Sequence, residues 1–163
     1  MPQRETIERA GQRKGPVPVL MNYIGGKTVA SQATSFLPVT NPSTGAEIAT
    51  VPLSTAADVD AAARSAAAAF PAWSGTTIKE RAQVFFRYKG LLERHAAELA
   101  ELVHEENGKI VSEAAAEVDK SVEVTEFACS MPQLADGEIL EVSRGVECRI
   151  DRHPLGVVAS IAP

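Results

Sequence analysis

Cysteine, aromatic residues and long apolar runs are all scarce in this 163-residue sequence, and each scarcity excludes something. Cys129 and Cys148 are its two cysteines. They form no CxxC pair and too few partners for a disulfide framework, so a reducing, cytoplasmic-type compartment is expected, with a mitochondrial one left open. Aromatics amount to 5% while alanine is abundant, which favours helices with thin faces that pack closely. No stretch approaches the roughly 18 consecutive apolar residues of a membrane span. The N-terminus, MPQRETIERAGQRKGPVPVL, lacks the apolar centre of a secretory signal, and Glu5 and Glu8 argue against a transit peptide. Positive charge is not in excess either: the net charge is −5, which makes nucleic acid and anionic membranes poor partners. There is no GxGxxG and no phosphate loop. His95, His104 and His153 are scattered without metal-ligand spacing.

What is present reads as a mixed α/β chain. After a polar extension over residues 1–20, Gly25-Gly26 between short apolar stretches predicts a tight hairpin. Asn41-Pro42-Ser43-Thr44-Gly45 predicts a turn between two further strands. Ser54 or Thr55 is placed to cap a helix running to about Trp73, with Asp58 near its positive end. Thr77 followed three residues later by Glu80 has capping-box spacing. The apolar stripe that follows, through His95, predicts one long helix to about Glu105, ended by Asn107-Gly108. A further helix is expected from about Lys109 to Met131, with Cys129 on its buried face and Pro132 as its stop. His95 reads as a packed, hydrogen-bonded residue rather than a ligand, and both cysteines read as small buried hydrophobes rather than nucleophiles.

Beyond that helix the pattern changes. A hairpin is expected around Ser143-Arg144-Gly145. Its second arm alternates, with Val146, Cys148 and Ile150 on one side and Glu147, Arg149 and Asp151 on the other. After Pro154 the alternation is lost, and LGVVASIA is apolar on both faces, as in a strand buried inside a parallel sheet. Such a strand needs parallel neighbours that the sequence does not visibly supply. Residue spacing alone reveals no catalytic constellation.

Several stretches, taken in order, resemble one family. NYIGGKTV, NPSTGAEIATVPLSTAADVDAA, AFPAWSGTTIKERAQVFFRYKGLLERH, ENGKIVSEAAAEV and PLGVVASIAP are similar to the front of NAD-dependent aldehyde dehydrogenases, over nearly all of residues 21–163. EFACSMPQLADGE followed by a short hairpin most resembles the CoA-acylating methylmalonate-semialdehyde branch. The resemblance implies the N-terminal part of that fold, incomplete. Residues 21–136 would begin the NAD-binding domain, 137–153 would form an oligomerisation hairpin, and 154–163 the first buried strand of the dinucleotide-binding sheet.

It further implies a small aldehyde as substrate, NAD as cofactor, CoA as a possible co-substrate, and a homo-oligomer for the full-length enzyme. In such enzymes a cysteine attacks the aldehyde, aimed donors hold the oxyanion, and a thioester is released by CoA or water. The residues that do this belong to later sequence, so none of the catalytic residues is expected here and residues 1–163 alone are expected to be inactive. Ile161, Ala162 and Pro163 match a stretch whose main chain lines the cofactor, as expected at the carboxyl end of a buried strand. Lys120 stands where related enzymes often carry an arginine for the substrate carboxylate. Lysine keeps the charge but not the two-pronged grip, and a plain solvated lysine is the competing reading. Two rival readings accompany this one: a hydrolytic semialdehyde dehydrogenase, and a non-catalytic assembly module.

Overall fold

The structure, a computed structural model, describes residues 16–162. Most of the polar extension, residues 1–15, and Pro163 lie outside the described residues. The chain divides into two units. One holds the residues up to Ser65 together with His95–Asp119, and the other Ala66–Arg94 with the residues from Lys120 onward.

In the first unit, β1 (Asn22–Ile24) pairs antiparallel with β2 (Lys27–Val29). Gly25 and Gly26 both take positive φ, 61° and 77°, the conformation of a two-residue hairpin loop that side chains resist. β3 (Phe36–Thr40) pairs antiparallel with β4 (Glu47–Pro52), with Phe36 opposite Pro52 and a register shift after Val39. Val19 adds a short parallel bridge to Thr50, through Thr50 N–H to Pro18 O (2.9 Å) and Leu20 N–H to Thr50 O (2.8 Å). The connecting turn is held by buried Asn41. Its Oδ1 accepts from the N–H groups of Ser43 (2.9 Å) and Thr44 (3.1 Å), an Asx turn that closes the loop from within.

Helix α1 (Ala56–Ser74) begins where the hydroxyl and carboxylate pattern indicates. Thr55 N–H donates to Asp58 Oδ2 at 2.7 Å, and the Asp58 N–H lies 3.4 Å from the Thr55 hydroxyl, the reciprocal arrangement of a capping box. Helix α2 (Ile78–Arg94) starts the same way. Thr77 N–H donates to Glu80 Oε2 at 3.1 Å and Glu80 N–H to the Thr77 hydroxyl at 3.3 Å.

The predicted long helix is two helices. α2 ends at Arg94, His95 breaks the path with φ −105° and ψ 13°, and α3 (Ala96–Asn107) starts afresh. His95 Nδ1 lies 3.0 Å from Glu98 Oε2, and Leu99 N–H donates to His95 O at 2.9 Å. The histidine therefore acts as the first residue of a new helix. The apolar stripe runs unbroken through His95 and could not reveal this change of backbone path. Its side chain is half exposed rather than packed.

Gly108 ends α3 at φ 80°, its N–H bonded to His104 O. A Cβ there would sit 2.9 Å from Pro42 Cγ, so both backbone conformation and space call for glycine. Helix α4 (Val111–Cys129) ends two residues before Met131. Pro132 does not stop it; the proline sits in the first turn of the short helix α5 (Met131–Leu134), where its missing N–H costs nothing.

Burial is carried by small side chains. Ala100 on α3 packs with Ala114 and Val118 on α4, supported by Ala96, Leu99, Val103 and Ala115. Among the described residues the buried apolar set is Ala49, Pro52, Ala82, Ala100, Ala114, Val118 and Cys129. In the second unit, β5 (Glu138–Ser143) pairs antiparallel with β6 (Val146–Ile150) around Gly145. Arg152 Nε donates to Asp136 O at 3.0 Å, joining the ends of this hairpin.

Two expectations are not met within this chain. Every residue of the hairpin is exposed, Cys148 included, because a two-stranded ribbon has no second layer to cover its apolar side. Residues 154–162 form no strand, and Leu155 and Ile161 are 95% and 98% exposed. A strand requires a hydrogen-bonded neighbour, and among the described residues none pairs with them.

Replacing Ala114, which is wholly buried, with leucine should overpack the α3–α4 contact and cost about 1–3 kcal/mol. Gly108→Ala should cost about the same through backbone strain. Both should appear as lower urea midpoints, whereas alanine at exposed Glu101 should leave the midpoint within about 0.5 kcal/mol.

Candidate functional site

The most heavily bonded polar side chain described is the Asp58 carboxylate, at the start of α1. Oδ2 accepts from Thr55 N–H, from the Thr55 hydroxyl at 2.9 Å and from the Ser31 hydroxyl at 2.8 Å, while Oδ1 accepts from Gln32 N–H at 3.2 Å. Donors from Thr55, its backbone N–H foremost, and from Ser31 and Gln32 outweigh the opposing effect of burial. They lower the Asp58 pKa from 3.8 to about 2. Sequence reasoning placed Asp58 near the helix's positive end. The Thr55-x-x-Asp58 spacing could have disclosed the capping box, but nothing local could disclose Ser31 and Gln32.

A shallow recess of about 200 Å³ lies beside this network, bordered by Asn22, Tyr23, Ile24, Ser54, Val59 and Ala62 as well as Asp58. Its carboxylate is bound up in donors and strongly acidic, the opposite of what a general base needs. The recess is therefore a structural seam rather than a reaction site.

The residues singled out by resemblance are not gathered into a site. Lys120 lies on the outward side of α4, its ammonium paired with the Glu123 carboxylate one turn on. Ile161 and Ala162 are exposed at the end of the chain's last described segment, and Pro163 lies outside the described residues. Among the described residues no hydrogen bond or ion pair joins Lys120 to residues 161–162. Two further lysines of the helical region, Lys89 and Lys109, also face carboxylates. Lys89 reaches Glu93 at 2.6 Å and Glu126 at 3.6 Å, and Lys109 pairs with Glu117. Glu93 chiefly raises the Lys89 pKa, and the Thr77 side chain chiefly lowers that of Glu80.

His104 donates from Nδ1 to Lys109 O, a C-terminal helix bond rather than a ligand posture. No group of three His, Cys, Asp or Glu among the described residues is placed to hold a metal ion. None of the described helices is long and apolar enough to cross a membrane. Cys129 is buried and Cys148 exposed, both free. The guanidinium Nε of Arg81 is buried without a hydrogen-bond partner, a feature that the sequence did not signal.

Comparison with known proteins settles the class. The aldehyde dehydrogenase family model matches residues 28–163, and the chain belongs to that family. A malonate-semialdehyde dehydrogenase of Geobacillus kaustophilus is 46% identical over 146 residues, covering 89% of this chain and 30% of that protein. A malonate-semialdehyde dehydrogenase of Bacillus pumilus is 43% identical over 151 residues, covering 92% of this chain and 31% of that protein. Among solved structures, one described as a methylmalonate-semialdehyde dehydrogenase of Sinorhizobium meliloti, complexed with NAD, superimposes with a TM-score of 0.83 at 35% identity. It covers 88% of this chain and 29% of that one. The methylmalonate-semialdehyde dehydrogenase of Oceanimonas doudoroffii gives 0.81 at 35% identity, over 85% of this chain and 28% of that one. The chain thus spans about 30% of the length of the relatives it matches and corresponds to their N-terminal part. The mixed helix and strand order agrees with the α/β expectation.

Because the Asp58 pKa is depressed on folding, the stability it supplies is fully present above its ordinary value near 3.8. That stability is lost as pH falls toward about 2. Thermal midpoints measured from about pH 5 down to about pH 2 should fall less steeply for Asp58→Asn than for the parent chain. Asp58→Asn should also be less stable at neutral pH, since its amide NH₂ would face donors.

Proposed function

We propose that this chain is the N-terminal part of an NAD-dependent dehydrogenase of malonate or methylmalonate semialdehyde that delivers its product as a CoA thioester. The observation that carries the proposal is the 46% identity with a malonate-semialdehyde dehydrogenase over 146 residues. The solved relatives supply a second support, since both carry the methylmalonate-semialdehyde name. On this reading residues 21–136 open the NAD-binding domain, 137–153 form the arm that joins subunits of a homo-oligomer, and 154–163 take a place in the dinucleotide-binding sheet. The exposed apolar residues of the last two segments suit that role: surfaces of this kind are ordinarily covered by other chain or other subunits. A reducing, cytoplasmic compartment fits two free cysteines.

The cysteine, the oxyanion donors and the general base of the reaction are assigned to sequence beyond residue 163, and no residue of this chain is given a catalytic role. Ile161 and Ala162 are exposed, and neither brings a polar side chain. They, with Pro163, are assigned one edge of a site that the complete enzyme finishes. Lys120 is assigned to the substrate carboxylate, as a point charge rather than a fork.

Two measurements test this. The complete enzyme, purified and given malonate or methylmalonate semialdehyde with NAD, should form NADH and, when CoA is present, the corresponding acyl-CoA. Free acid formed at the same rate without CoA would favour the hydrolytic alternative. Residues 1–163 alone should show no calorimetric NAD binding below about millimolar concentration, weaker than about −4 kcal/mol. Micromolar binding would overturn the assignment of the site to the complete enzyme.

A further inference from the structure

The three lysine pairs along α4 differ in kind. Lys89 joins α2 to Glu126, and Lys109 joins the loop before α4 to Glu117, so each ties separate stretches of chain. Lys120 and Glu123 lie on one turn of one helix and hold no two elements together. Exposure follows the same order: the side chains of Lys89, Lys109 and Lys120 are 23%, 39% and 71% exposed. Of the three ammonium groups, that of Lys120 is the most open to an incoming anion, and its resident partner is the carboxylate of Glu123.

We propose that Glu123 sets substrate selectivity as the counter-ion that a carboxylated aldehyde must displace from Lys120. The inference rests on the assignment of Lys120 to the substrate carboxylate. An acid one turn away gives that lysine an internal competitor of the same chemistry as the substrate's own carboxylate. The competitor is always present one helical turn away, so it weakens binding of anionic aldehydes without touching uncharged ones. Exposed ion pairs of this type alter an equilibrium by roughly two- to five-fold, and salt screens them. Glu123 is thus a positioning residue, acting through Lys120 and not on the reacting atoms.

The test uses the complete enzyme with malonate semialdehyde and with propanal as an uncharged aldehyde. Glu123→Gln should lower KM for malonate semialdehyde by about two- to five-fold, with kcat and the propanal KM unaltered, and the effect should shrink in high salt. Glu123→Asp, which keeps the charge, should restore most of the parent KM. Lys120→Met should raise KM for malonate semialdehyde and leave that for propanal alone. If Lys120→Met behaves so while Glu123→Gln changes nothing, the competitor role is overturned and the Lys120 assignment survives. If Lys120→Met changes neither KM, the assignment of Lys120 falls, and this inference with it.

Discussion

Side-chain oxygens that capture backbone N–H groups set the starts of α1 and α2 and close the turn between β3 and β4. Thr55 with Asp58, Thr77 with Glu80, and Asn41 with Ser43 and Thr44 each satisfy donors that a helix start or a turn would otherwise leave open. These local bonds matter because burial is slight. The buried centre of the α3–α4 contact is two alanines and one valine, whose small side chains bring two helices together without removing much apolar surface from water. Asp58 adds the one long reach among these caps, drawing Ser31 and Gln32 onto the start of α1.

The same economy leaves large apolar side chains outward-facing: Phe86, Phe127, Leu140, Leu155 and Ile161 are all exposed. A segment such as LGVVASIA has the composition of an interior strand yet lies uncovered. The chain matches about 30% of its relatives' length, and bare apolar faces fit the proposal that further chain covers them. Family membership, polar caps and bare apolar faces are therefore mutually consistent.

Charge on α4 follows a comparable division. Lysines that connect distinct stretches of chain are partly covered, while Lys120 is bound only to a neighbour on its own helix. An ion pair that spans elements restrains the fold; one within a turn does little beyond neutralising a charge, and so leaves that charge open to exchange.

Much of this was legible in residues alone, because its causes are local. Gly25-Gly26, the Asn41–Gly45 turn, the Thr77–Glu80 box and the Gly108 terminus depend on φ preferences and on bonds three or four residues long, and all four appear as read. The family was legible separately, through the resemblance of several stretches in order, and the match over residues 28–163 bears it out. What went unread depends on contacts distant in sequence or on a backbone path that apolarity does not mark. His95 leaves the helical path in the middle of an unbroken apolar stripe, and Ser31 meets Asp58 only after two strands have turned back. The exposure of Cys148 and of residues 154–162 is likewise a tertiary outcome: alternation and apolarity say which face wants burial, but only the presence of another layer decides whether it is buried.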